Sequence, residues 1–99
     1  MLQSFRSYKL AVQFYRQAQG IKLSYHLKDQ LHRAASSVAL NLAEGSAKSS
    51  LPDRRRFYFI ALGSVRECEA LVELTDTKIL VEPLDKLARH VYRLCHALR

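Results

Sequence analysis

Between Pro52 and Ile79 the apolar and small residues Phe57, Ile60, Ala61, Ser64, Cys68, Leu71, Val72, Thr75 and Ile79 recur at spacings that place them on one face of a helix. At about 25 residues and 1.5 Å per residue, such a helix is roughly 38 Å long. A stripe of that length has to be covered by other helices, and three further segments carry matching ones. Leu10, Ala11, Phe14, Tyr15 and Ala18 share a face opposite Arg6, Lys9, Gln13 and Arg16, and Gly20 can end that helix. Leu27, Leu31, Ala34, Ala35, Val38 and Leu42 form a stripe over residues 26–44, with Gly45 placed to close it as a left-handed residue. After Pro83, residues Leu84, Leu87, Ala88, Val91, Leu94, Cys95 and Leu98 face inward while Lys86, Arg89, Arg93 and His96 face out. Nowhere do apolar residues alternate strictly over the length of a strand, so the expected fold is all-α. Four stripes with short connections predict an antiparallel up-down-up-down four-helix bundle, with helices over residues 3–19, 26–44, 52–79 and 84–98.

Ninety-nine residues make one domain with one core, of a size that gains from oligomerisation. The net charge of +7 is concentrated at one end of the sequence. Residues 1–56 hold ten Lys/Arg against three Asp/Glu, and residues 57–99 hold six of each. That excess favours a polyanionic partner, because Lys and Arg release counterions from phosphates. No apolar run approaches the roughly 20 residues that cross a bilayer, and the opening MLQSFRSYKL lacks the apolar core of a signal peptide, so a cytoplasmic protein is expected. Cys68 and Cys95 fall at core positions and read as reduced thiols.

The stretch from Asn41 to Phe57 holds most of the candidate site residues. Ser50-Leu51-Pro52-Asp53 matches a helix-capping box with proline in the first turn, so a turn between helices is expected. Lys48-Ser49-Ser50 is no phosphate loop, since a Walker sequence needs a second glycine and a preceding strand. The free N–H groups at the start of the third helix, with Lys48, Arg54, Arg55 and Arg56 nearby, nevertheless make the corner a candidate phosphate contact. Arg56 is also placed to pair with Glu44. On the second helix Arg33, Ser37, Asn41 and Glu44 form a polar stripe that can meet Glu67, with Gly63 allowing close approach of the two backbones. Tyr58, Phe59 and Leu62 are expected to point outward with Arg55 and Arg66 between them, and Leu40 projects from the second helix. These four apolar residues are candidates for an oligomer interface; the rival reading is an aromatic and arginine platform for unpaired bases.

Catalytic and metal patterns are missing. A di-iron bundle needs Glu-x-x-His on two helices, Asp29-x-x-His32 is a single pair, and His90, Cys95 and His96 do not make a zinc pattern. No Gly-x-Ser-x-Gly or Cys-x-x-Cys occurs. The expectation is therefore a protein that is not an enzyme, with no cofactor and no metal.

Gln30-Leu31-x-Arg33-Ala34-Ala35-x-Ser37-Val38, Asn41-Leu42-Ala43-Glu44-Gly45 and Phe57-x-x-Ile60-Ala61-x-Gly63-Ser64-x-x-Glu67 resemble the four-helix-bundle proteins encoded by intervening sequences of bacterial 23S rRNA genes. The resemblance implies a bundle that assembles as a ring, usually a homopentamer, with a role in binding RNA. Related bundles accompany the reverse transcriptases of diversity-generating retroelements, which makes a protein-interaction scaffold the alternative. The chain departs from the family pattern in its loop GSAKSS, which lacks a basic residue directly after the glycine, and in stopping at Arg99. The expected function is RNA or ribonucleoprotein binding by a basic homo-oligomer, with DNA or a protein as other possible partners and no membrane contact. The candidate contacts are Arg6, Lys9 and Arg16 on the first helix, Arg89 and Arg93 on the fourth, and Lys48, Arg54 and Arg55 at the corner.

Overall fold

The computed structural model describes residues 2–97. Helices α1 (Leu2–Gln19), α2 (Tyr25–Ala47), α3 (Leu51–Thr75) and α4 (Val81–Ala97) account for nearly all of them, with a turn of 3-10 helix at Lys78–Leu80. The helices form a ring in cross-section, in which α1 and α3 each pack against both α2 and α4. Contacting residues show the direction of the helices. Ser37 of α2 meets Ser64 of α3, and Ser46, later in α2, meets the earlier Tyr58. Tyr58 also meets Cys95 of α4, whereas Glu69 shares a groove with Asp85. Numbers rise along one helix as they fall along its neighbour, so these pairs run antiparallel. The molecule measures 41 × 21 × 18 Å, and its long axis is close to the length expected for α3.

The core is built from the stripes of α1, α2 and α4 as their periodicity requires. Ala11, Phe14 and Ala18, then Leu31, Ala34, Ala35, Val38 and Leu42, then Leu84, Leu87, Ala88, Val91, Leu94 and Cys95 are buried. Leu98 and the expected helix end at 98 lie outside the described residues. On α1 the buried line also takes in Ser4 and Ser7. The Ser7 hydroxyl donates to the Gln3 carbonyl at 3.0 Å, which meets its hydrogen-bonding need within the helix.

Helix α3 is rotated from the expected phase. Its buried residues are Tyr58, Ala61, Val65, Cys68, Leu71 and Val72; Phe57 and Ser64 are half-buried, and Ile60 is 44% exposed. Tyr58, expected to point outward at an oligomer interface, is instead fully buried. The cause lies on α2. A Cβ on Gly45 would fall 2.7 Å from Tyr58 Cε1, 2.9 Å from Cδ1 and 3.1 Å from Phe57 Cβ, so the missing side chain is the space that the tyrosine ring occupies. The Tyr58 hydroxyl lies 3.2 Å from Ser46 Oγ, and its carbonyl accepts the Cys95 thiol at 3.2 Å. Gly45 thus does not end α2 in a left-handed conformation; the helix continues to Ala47. Gly63, expected at a close approach, is exposed, with nothing within 4 Å of an added Cβ.

Asp76 makes the left-handed stop, at φ 51° and ψ 40°. Its N–H reaches the Glu73 carbonyl and the N–H of Thr77 reaches that of Val72, both at 3.2 Å, in a Schellman arrangement. Helix α3 therefore ends at Thr75, and Ile79 is 75% exposed in the 3-10 turn instead of extending the core stripe. Pro83 lies within the first turn of α4, where no carbonyl of the same helix awaits its absent N–H.

Cys68 and Cys95 are buried free thiols. Burial pushes Cys68 up to about 12, with the Glu67 and Glu69 charges acting in the same direction. Burial raises Cys95 to about 11 against the opposing effect of Arg55.

Gly45→Ala gains about 1 kcal/mol of helix propensity but loses about 1–3 kcal/mol by overpacking against Tyr58, so its thermal midpoint by circular dichroism falls. An unchanged or higher midpoint would contradict the packing account. Both thiols are shifted upward from 9.0, so their contribution to stability is full below about pH 9 and is lost as pH rises to about 12. Urea midpoints should fall over that range, and less so in a Cys68→Ala/Cys95→Ala variant.

Candidate nucleic-acid interface

The corner between α2 and α3 is held by local bonds. Ser50 caps α3 by accepting the Asp53 N–H at 3.3 Å, and Pro52 occupies the first turn. Arg54 Nε donates to the Lys48 carbonyl at 2.6 Å, so this arginine clasps the loop. Lys48 Nζ sits 3.1 Å from Glu44 and 5.2 Å from the centre of the Phe57 ring. Arg56 lies 4.7 Å from the same ring and 3.9 Å from Asp53, and the Glu44 partner expected for it is taken by Lys48. Such exposed pairs contribute at most about 1 kcal/mol each. They nonetheless bring Lys48 and Arg56 to the Phe57 ring.

Arg55 points to α4. Its guanidinium is 5.8 Å from the centre of Phe59, and Phe59 meets His96 edge to face at 5.7 Å and 71°. His96 stacks on Tyr92 at 4.1 Å and 28°. A carbonyl only accepts, so the 2.8 Å contact of His96 Nδ1 with the Tyr92 carbonyl places the proton on Nδ1. The result is a row, Arg55–Phe59–His96–Tyr92, crossing from α3 to α4. Tyr92 then lines a groove of about 370 Å³ with Arg66, Glu69, Asp85, Ala88, Arg89 and Arg93. Arg66 is held by Glu69 at 2.9 and 3.1 Å. Arg89 and Arg93 are exposed and form no ion pair among the described residues.

Tyr92 and His96 were not foreseeable as partners of Phe59. Their spacing of four on an exposed helix face signals contact with each other, but only the packing of α3 on α4 adds the third ring. Next along the same helix pair is a carboxylate-rich groove of about 590 Å³, lined by Glu69, Glu73, Asp76 and Asp85 around Val72, Val81 and Leu84, with Thr77 and Lys78. This end of the α3–α4 face repels phosphate.

Of the other candidates, Arg6, Lys9 and Arg16 are exposed along α1, which carries no Asp or Glu, and Lys9 lies 5.5 Å from the centre of the Phe5 ring. Leu40 is 67% exposed on α2, whereas Leu62 is half-buried and packs against the core. The expected polar network reduces to its inner members. Ser37 and Ser64 hydroxyls are 2.7 Å apart, and Asn41 Nδ2 donates to the Ser37 carbonyl at 2.9 Å and hydroxyl at 3.1 Å. Arg33 pairs with Asp29 at 3.1 Å, Glu44 pairs with Lys48, and exposed Glu67 forms no hydrogen bond or ion pair among the described residues. Arg33 and Glu67 lie too far toward solvent to bridge the helices. No group of three or more His, Cys, Asp or Glu residues that could hold a metal ion occurs among the described residues. No helix among them is long and apolar enough to cross a membrane.

Residues 4–98 match the family described as 23S rRNA-intervening sequence protein. A comparison with curated proteins returns no match.

The two neighbouring arginines of the corner should separate in a stability measurement. Arg54→Gln loses the bond to the Lys48 carbonyl and costs about 1 kcal/mol in urea denaturation, whereas Arg55→Gln stays within about 0.5 kcal/mol of the parent. Equal effects would show that Arg54 does not hold the turn.

Proposed function

The chain belongs to the 23S rRNA-intervening sequence protein family, and on that premise we propose that it is a small oligomeric four-helix-bundle protein that binds RNA or a ribonucleoprotein through basic surfaces, without catalysis. The observation that carries this reading is the set of cations left uncompensated on adjoining helices. Arg89 and Arg93 have no carboxylate partner within ion-pair distance among the described residues, and α1 has cations with no acidic residue. Helix α4 packs between α1 and α3, so the helix carrying Arg89 and Arg93 adjoins both the one carrying Arg6, Lys9 and Arg16 and the one carrying Arg55. Such a surface gains affinity for a polyphosphate by counterion release. Lys48 adds to the basic edge at the corner.

The second reading is an oligomeric scaffold that recruits another protein, with RNA binding incidental. It is favoured by the exposed apolar side chains Leu40 on α2 and Ile60 and Leu74 on α3, which a subunit contact would cover. Phe59 and Leu62 remain candidates for that contact, and Tyr58 does not.

Binding of a structured RNA, followed by fluorescence anisotropy as salt rises from about 50 to 200 mM, distinguishes the two readings. RNA binding through these cations predicts a steep linear fall of log affinity with log salt, and Arg89→Gln/Arg93→Gln reduces the slope by about 2. No binding at low salt, or a slope unmoved by the double variant, would rule out this use of the surface.

A further inference from the structure

We propose that the groove between α3 and α4 binds an unpaired nucleotide, with its base stacked against Tyr92 in line with the His96–Phe59 row and its phosphate held by Arg89 and Arg93. This rests on the RNA-binding reading and narrows it from a basic surface to one site and one form of RNA. Three observations converge on the site. The first is shape: the groove is an open trough of about 370 Å³, large enough for one base and too small for a duplex. The second is an aromatic surface prepared for stacking. Tyr92 is 49% exposed although His96 stacks on it at 4.1 Å, and Phe59 holds His96 from the side at 5.7 Å, so the row is ordered before a base arrives. The third is charge. Glu69 pairs with Arg66, and Arg89 and Arg93 form no ion pair among the described residues; with Asp85 the second carboxylate of the lining, three arginines leave the groove net positive.

These features select for an unpaired base. In an A-form helix the faces of the bases are covered by their neighbours, and only a loop, bulge or end offers a free π-face together with a phosphate within reach of the same pocket. The adjacent carboxylates set the path by which the strand leaves. Glu69 and Asp85 line one end of the groove, and Glu73 and Asp76 continue that negative surface, whereas His96, Phe59 and Arg55 follow beyond Tyr92. A bound strand therefore leaves over Phe59 toward Arg55, and the footprint is a few nucleotides.

The test compares the full chain's binding, at one salt concentration, to a labelled single-stranded RNA of about 12 nucleotides and to the duplex of the same sequence. The parent protein is expected to prefer the single strand. Tyr92→Leu should weaken single-strand binding by about 5- to 100-fold, the loss of one stacked base, with less than about a twofold effect on the duplex. Tyr92→Trp should keep the preference, and Arg89→Gln should weaken both RNAs because it removes a phosphate contact. Tyr92 is half exposed, and far-UV circular dichroism of each variant checks that helicity is retained. RNA binding that is indifferent to strandedness, or that falls equally for both RNAs in Tyr92→Leu, overturns this site and leaves the broader reading standing. Absence of binding to either RNA at low salt overturns both.

Discussion

The contact between the Tyr58 ring and the bare backbone of Gly45 governs how α3 sits in the bundle. The Tyr58 ring fills the gap that the missing Cβ of Gly45 leaves on α2, in a core otherwise mostly of Ala, Val and Leu. Its hydroxyl meets Ser46 and its carbonyl receives the Cys95 thiol, so one residue ties α2 and α4 to α3. Once Tyr58 points inward, helical geometry turns Phe59 toward α4 and His96, and Phe57 toward Gly45. The aromatic row and the packing of the corner follow from that one choice of phase. The Asn-x-Ala-Glu-Gly motif thereby acquires a packing explanation for its glycine.

How much of this could be read in advance depends on how sharply each segment separates apolar from polar residues. Helix α4 is unambiguous, with Leu84 through Cys95 at core spacing and Lys86, Arg89 and Arg93 between them. Helix α3 is not, because Phe57 to Leu62 is an unbroken apolar run and either of two neighbouring phases buries an aromatic ring. Hydropathy cannot choose between Phe57 and Tyr58; Gly45, on the preceding helix, does. The stop of α3 is hidden in the sequence for a related reason, since the left-handed position that commonly holds glycine is filled by Asp76. The Ser50 cap was legible because both of its partners lie within three residues. The Arg33–Glu67 bridge failed because its partners lie on outer faces and the arginine has a carboxylate one turn away on its own helix.

For the candidate site, sequence identified the cations and Phe59 but not their grouping. Lys48, Arg54 and Arg55 are near neighbours with three different surroundings: a carboxylate and a ring, a loop carbonyl, and the α4 face. Charge counts treat them alike. Only the turn geometry shows that Arg54 is engaged by backbone, and only helix packing shows that Arg55 belongs with Tyr92 and His96.

The distribution of charge along α3 runs against the helix's own dipole. Three arginines follow closely on its positive N-terminal end, with only Asp53 offsetting them, and Glu73 and Asp76 sit at its negative C-terminal end, where no basic residue occupies the last turn. Each misplaced charge near a terminus costs a few tenths of a kcal/mol at low ionic strength, and salt screens that cost. Dilute buffer therefore strains the helix and dissolved salt relieves it, so α3 gains stability as ionic strength rises. An anion seated among the three arginines would give the fold the same relief at one point that dissolved salt gives it everywhere.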